Sequence, residues 1–445
     1  MRKLLMSFLL VGILGVGLLA FAQQEVPPGR IVIEFWHAFR GALGDSTQQM
    51  IDKFNQSQDK YWVVGVYKGS YTETMDAAIA AFRAGKPPHI VQIFEVGTAT
   101  MMMSGAIYPV YQLFEDTGVR FDPTQFIPGV KGYYSFPDGR MAAMPWNSST
   151  AVLWYNKDAF RKAGLDPDNP PRTWAEVREA AAKIKAAGAA EIPLSCAWFT
   201  WTQFEQFGAI HNIPFATRAN GFEGLDAVLT LDHPVYVRHL QNLVDMAKEG
   251  LFVYGGRDSA PDALFPSGRA AMLIASSALL ARVKREAQFE WGITYLPYYD
   301  DVVEKPYNSI IGGAALWVLK RPGATLEEYK GVAEFFRFIS SPEMAGWWHM
   351  ESGYVPVTFG GYEYAKAQGY YEANPGADIA ILQLSREPTT ENTRGLRLGY
   401  LPAIRVVIYE EVEKALQGQQ TAEQALKNVV ARGNELLREF EALYK

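Results

Sequence analysis

The sequence predicts an α/β fold of two lobes with a ligand cleft between them, and three observations carry that reading. Strand-like and helix-like segments alternate from early in the chain, the pattern of a sheet built through crossover connections. The chain has 445 residues, too many for one hydrophobic core and enough for two lobes of roughly 200 residues each. No internal repeat or low-complexity linker divides it, so the chain is expected to cross between the lobes more than once.

The first segment concerns the compartment. Arg2 and Lys3 precede a nearly continuous apolar run from Leu4 to Phe21, and Ala20-Phe21-Ala22 offers the small-x-small pattern of a signal-peptidase site. A leader over residues 1–22, cleaved after Ala22, is therefore expected, with a soluble mature protein in a periplasm. A membrane anchor is the alternative for so long a run, but the basic start and the polar Gln23-Gln24 favour cleavage. The one cysteine, Cys196, lies far from the cleavage site and has no partner for an intrachain disulfide.

Ile31-Val32-Ile33-Glu34-Phe35-Trp36 is β-branched and aromatic and reads as a strand. Residues 46–54 place Met50, Ile51 and Phe54 on one helical face. A strand over 61–67, a helix over 72–83 and a strand over 89–94 continue the alternation, which implies parallel strands covered on both faces. Residues 156–188 read as helical, with Thr173 as N-cap ahead of Trp174-Ala175-Glu176. A short strand over 192–196 precedes helices filling most of 201–250. Strands return at 270–275, 291–296 and 314–319, and the remainder is mainly helical, ending with 421–444. One lobe is accordingly expected at residues 23–140 with about 278–330, the other at about 141–277 with about 331–445.

The formal charge of -6 includes Arg2 and Lys3 and no acidic residue of the leader, so the cleaved chain carries -8. That sign disfavours nucleic acid or an anionic membrane as partner. The 11 Trp and 23 Tyr exceed what a core alone asks for and suit a cleft that stacks on a polar ligand. His37, His89, His211, His233, His239 and His349 fall in no H-E-x-x-H or similar spacing. No G-x-S-x-G elbow, phosphate loop or G-x-G-x-x-G follows a strand. Binding without catalysis, cofactor or metal is the expectation. In such sheets ligands sit beyond the carboxyl ends of strands. The segments to inspect are 36–41, 69–71, 95–98, 147–150, 276–277 and 312–313.

Asn147-Ser148-Ser149-Thr150, Leu153-Trp154-Tyr155-Asn156-Lys157, Phe160-Arg161-Lys162-Ala163-Gly164-Leu165 and Pro171-Arg172-Thr173-Trp174 resemble the signature of family 1 extracellular solute-binding proteins of ABC importers. Phe35-Trp36-His37, Tyr67-Lys68-Gly69-Ser70-Tyr71, the run from Phe94 to Met102, Asn374-Pro375-Gly376-Ala377-Asp378 and Arg394-Gly395-Leu396-Arg397-Leu398-Gly399 resemble that family's glycerol-3-phosphate-binding branch. The resemblance implies a type II periplasmic binding protein fold and a receptor that delivers glycerol-3-phosphate or a glycerophosphodiester to a membrane permease. A monomer is expected, with nucleic acid disfavoured as partner by the net charge. The resemblance also implies a phosphate site of Tyr71, Ser149, Ser276, Gly313, Tyr354 and Arg405, with Glu95 and Trp198 facing the glycerol and Trp201 as an alternative stacking ring. Arg405 follows Pro402 at a helix start, where an anion is favoured, and its guanidinium could grip a phosphate two-pronged. Beside an open cleft it is expected to stay hydrated without ligand. An oligosaccharide receptor of the same fold is the runner-up, and a secreted phosphodiesterase the rival from another class.

Overall fold

The computed structural model describes residues 26–444, so the expected leader lies outside the described residues. Four strands come first: β1 (Ile31–His37), β2 (Tyr61–Tyr67), β3 (Ile90–Phe94) and β4 (Met144–Ser149). Then follow β5 (Ala151–Asn156), β6 (Ile192–Cys196), β7 (Phe252–Tyr254), β8 (Ala270–Ser276), β9 (Trp291–Thr294) and β10 (Gly312–Val318). They form two five-stranded sheets, ordered β2-β1-β3-β10-β4 and β7-β6-β8-β5-β9. Each sheet is the centre of one α/β lobe.

The strands of the first alternation, β1, β2 and β3, are parallel as expected, while each sheet as a whole is mixed. β1 runs parallel to β2 and β3, but β10 is antiparallel to β3 and β4. The second sheet repeats the arrangement, with β6 parallel to β7 and β8 while β5 is antiparallel to β8 and β9. In each sheet the antiparallel inner strand is the one the chain brings in from the other lobe. A parallel neighbour requires a crossover of about a dozen residues, usually a helix, and Thr150 alone separates β4 from β5.

Strand pairing also displaces the expected lobe boundaries. β4 lies in the first sheet, so the chain leaves that lobe at Thr150, beyond residue 140. β9 lies in the second, so the return runs through residues 295–311, beyond 278. Helices Leu326–Ile339 and Pro342–Ser352 pack on β1 and on helix Gly41–Ser57 respectively, so the final crossing comes after them and not near 330. The first two crossings are laced together by buried polar groups. The Thr150 hydroxyl lies 2.8 Å from Ser309 Oγ and 3.0 Å from the Ile310 carbonyl. Gln206 pairs with both backbone groups of Ile310, its Nε2 donating at 2.7 Å and its Oε1 accepting at 3.1 Å.

Local chemistry explains the elements. In β1 the residues Ile33, Phe35 and Trp36 are buried in the first lobe's core. Thr173 caps helix Trp174–Ala186 through a capping box with Glu176. The helix expected over 156–188 is two helices, Lys157–Lys162 and Trp174–Ala186, because Pro167, Pro170 and Pro171 break the stretch between them. No helix among the described residues is long and apolar enough to cross a membrane.

Candidate functional site

A cavity of about 570 Å³ opens between the lobes at the strand ends, and all eight residues singled out from the sequence line it. Tyr71, Glu95, Ser149, Gly313 and Tyr354 come from the side of the first sheet, and Trp198, Ser276 and Arg405 from the second. Phe39, Phe94, Trp201, Asp262, Arg282 and others complete the wall.

The first lobe's wall is one hydrogen-bonded chain. The Ala38 N–H donates to Gln92 Oε1 at 2.8 Å, Gln92 Nε2 to Asn147 Oδ1 at 3.0 Å, and Asn147 Nδ2 to the Tyr71 hydroxyl at 3.0 Å. The Tyr71 hydroxyl then meets that of Tyr354 at 3.3 Å. Asn147 and Gln92 are completely buried, so this chain satisfies groups that burial would otherwise penalise and fixes where the two phenols sit. Burial keeps both protonated: Tyr71 is pushed well up, with Tyr354 adding to the rise, and Tyr354 up to about 12 although Tyr71 and Asn147 pull it back in part. Each remains a donor for a ligand at neutral pH.

Gly313 is dictated by geometry. Its φ is +89°, and a Cβ there would stand 1.9 Å from the Asn147 carbonyl oxygen, so only glycine lets β10 approach β4 at this point. Gly312 serves a ring: a Cβ on it would meet Trp201 Cζ2 at 2.4 Å. Trp201 is nearly covered, with its indole N–H buried and unpartnered among the described residues. Trp198 is only half-buried and takes a left-handed φ of 52°, a conformation that costs on the order of 1 kcal/mol or more in a bulky residue and gathers at ligand clamps. Both rings line the cavity, and Trp198 is the less buried of the two. Ser276 caps the short turn after β8 by accepting from the Ala278 N–H at 3.2 Å, which leaves its hydroxyl proton to donate. Ser149 is buried at the end of β4.

Arg405 corrects the sequence reading. Its guanidinium is not hydrated but buried, 6% exposed, and the two-pronged grip expected for a phosphate is taken by Glu205. Nε donates to Oε1 at 2.7 Å and Nη2 to Oε2 at 2.8 Å. Nη2 also donates to Glu95 Oε1 at 2.6 Å, joining the lobes. A guanidinium out of water needs such partners, since an unpaired buried charge is penalised by several kcal/mol. Burial opposes its charge, but Glu205 and Glu95 outweigh burial and hold its proton more tightly. Burial pushes the Glu95 carboxyl up, and Arg405 pulls it back only in part. Glu95 is therefore an ion-pair partner as well as a wall of the cavity, not a free acceptor.

Glu205 escaped the sequence reading. It is the only Asp, Glu, Lys or Arg between Glu191 and Arg218, and a lone charge in so apolar a stretch signals a buried partner. Its partner lies 200 residues away, beyond the reach of any local pattern. Among the described residues no group of three or more His, Cys, Asp or Glu side chains is arranged to hold a metal ion.

A family model for bacterial extracellular solute-binding proteins matches residues 49–375. The sn-glycerol-3-phosphate-binding periplasmic protein UgpB of Yersinia enterocolitica is 48% identical over 427 residues, covering 96% of this chain and 95% of that one. Its Salmonella typhimurium counterpart is 46% identical over 434 residues, covering 97% and 98%. Among solved structures, UgpB from Mycobacterium tuberculosis in complex with glycerophosphocholine superposes with a TM-score of 0.77 at 22% identity, over 92% of this chain and 99% of that chain. Maltose-bound MalE3 of T. maritima gives 0.72 at 20%, over 91% and 99%. At these identities the two structures show the fold of this chain and not its ligand.

Proposed function

The chain belongs to the bacterial extracellular solute-binding protein family, and from that premise we propose that it is the periplasmic receptor of an ABC importer for glycerol-3-phosphate and glycerophosphodiesters. One observation carries the reading: Tyr71, Ser149, Ser276, Gly313, Tyr354 and Arg405 converge on one interlobe cavity in a chain 48% identical to an sn-glycerol-3-phosphate-binding protein. The Mycobacterium tuberculosis protein that binds glycerophosphocholine supports extending the ligand class to diesters. Closure of two lobes on a ligand is the motion of this architecture, and the closed form would dock on the permease. The mature chain is proposed to begin at Gln23.

The ligand's phosphate would meet hydroxyl donors at Tyr71, Tyr354, Ser149 and Ser276, together with what Arg405 leaves unused. Arg405 Nη1 makes no hydrogen bond among the described residues, so it is the arm available to an anion. Isothermal titration of the mature protein with sn-glycerol-3-phosphate, glycerophosphocholine and maltose tests the proposal. Saturable heat with the two phosphates and none with maltose is expected; binding of maltose alone would return the oligosaccharide reading. Incubation with glycerophosphocholine should release no choline, and steady release would replace a receptor with a hydrolase.

A further inference from the structure

Of the carboxylates that line the cavity outside the glycerol-phosphate site, Glu73 is taken up by the Ser70 capping box and Glu286 by Arg282 and Arg285, which leaves Asp262. Asp262, on the turn Ala260–Leu264 ahead of β8, lines the same space as Trp198, Tyr71, Tyr354 and Arg405. The residue as a whole is half-buried, but its Oδ1 is shielded from solvent and has no hydrogen-bond partner among the described residues. A buried carboxylate oxygen without a partner is unfavourable. The nearby cation, Arg282, directs its Nε to Glu286 at 2.8 Å instead.

The position is built. Helix Leu401–Leu416 carries Arg405, Tyr409 and Glu413 at four-residue spacing, hence on one face. Arg405 serves the ion pairs described above, while Tyr409 and Glu413 hold the loop bearing Asp262. The Asp258 N–H donates to the Tyr409 hydroxyl at 3.0 Å, and Glu413 takes both prongs of Arg257 at 2.8 and 2.6 Å. The Trp198 N–H donates to the Asp258 carbonyl at 2.7 Å. One helix thus sets the distance from Arg405 to Asp262, and the same loop anchors the Trp198 ring.

We infer that Asp262 is the specificity residue for the second alcohol of a glycerophosphodiester, and that it selects head groups bearing an ammonium. A diester needs the cation of its head group matched after the cavity closes. A carboxylate with one oxygen unpartnered, lining the same cavity as Trp198 and Tyr71, whose ring centroids are 6.4 Å apart, offers charge and aromatic faces together. Burial pushes the Asp262 carboxyl up to about 7, with Arg282 pulling it back only in part. This inference rests on the glycerophosphate reading above.

The test compares parent and Asp262→Asn by titration with four ligands: sn-glycerol-3-phosphate, glycerophosphoglycerol, glycerophosphocholine and glycerophosphoethanolamine. The variant should lose roughly tenfold or more in affinity for the two ammonium diesters relative to its change for the two ligands without a cation. Asp262→Ala should lose at least as much, and binding of any of the four certifies a folded variant. A uniform change across all four ligands, or none, overturns the inference while leaving the glycerophosphate reading in place. A parent that binds none of them overturns both.

Discussion

Arg405, which lines the interlobe cavity, and Glu205, 200 residues away in sequence, form a two-pronged buried ion pair at 2.7 and 2.8 Å. With Glu95 at 2.6 Å, one guanidinium stands between two carboxylates, one from each lobe. The trio explains how a cation can wait in an apolar cleft before any ligand arrives. It also means that an incoming phosphate meets a guanidinium already oriented, with most of its donors committed, so hydroxyls and backbone N–H groups must supply the remaining contacts.

Arg405→Ala should therefore unsettle the empty protein as well as its binding. Truncation leaves two carboxylates buried without their cation, which costs about 3–5 kcal/mol where a buried pair is broken from one side. The ligand-free melting temperature should drop, and adding Glu205→Gln to the variant should restore part of the loss. Affinity for glycerol-3-phosphate should fall by about 2–5 kcal/mol. A single variant that melts like the parent would refute the ion-pair account.

Gly313→Ala should damage both fold and site. The new Cβ meets the Asn147 carbonyl at 1.9 Å and imposes a φ of +89° on a residue with a side chain, a strain on the order of 1–3 kcal/mol before the clash is counted. Asn147 positions the Tyr71 hydroxyl, so its displacement should weaken ligand binding too. Gly129→Ala, where a Cβ would meet nothing within 4 Å, serves as the control. Equal melting and equal affinity in the two variants would contradict the argument.

Much of this arrangement was legible in the chain. β1, β2 and β3 carry β-branched and aromatic runs that declare themselves, and their carboxyl ends lead to Tyr71 and Glu95. β4 did not declare itself, because Met144-Pro145-Trp146-Asn147-Ser148-Ser149 is polar and contains a proline. It is nonetheless buried throughout, and Asn147 is satisfied by Gln92 and Tyr71 from distant segments. Missing β4 also misplaced the first lobe boundary. Glu205 and the commitment of Arg405 were illegible for the same reason: local patterns report which residues are alike in polarity, and not which distant partner cancels a buried charge.

The buried histidines give the fold a pH dependence whose sign is fixed by geometry. His211 accepts the Tyr299 N–H at Nε2, 2.9 Å away, and must therefore donate from Nδ1 to the Phe207 carbonyl at 2.7 Å. Protonating Nε2 would set two donors face to face, and burial disfavours the charge besides. Burial pushes His37, His211 and His349 down to about 4, and His239 well below its ordinary value. Each ring is thus neutral in the fold while the unfolded chain takes up a proton below about 6.5. Their contribution is complete above that pH and is lost as pH falls towards 4, by roughly 2–3 kcal/mol for each ring. Glu411, drawn to about 2 on balance by Lys414, Gln420, Asn428 and Arg432 against its burial, acts only at lower pH, below the ordinary carboxyl value. Asp262 and Glu95, whose carboxyls burial raises, work in the opposite sense within the window. The histidine share must therefore be read by difference. Thermal melts of parent and His211→Asn between pH 7 and 4 supply it: the variant should lose less stability over that range, whatever its stability at pH 7. Parallel curves would mean that His211 does not titrate with unfolding, and the assigned pattern of donors around it would have to be abandoned.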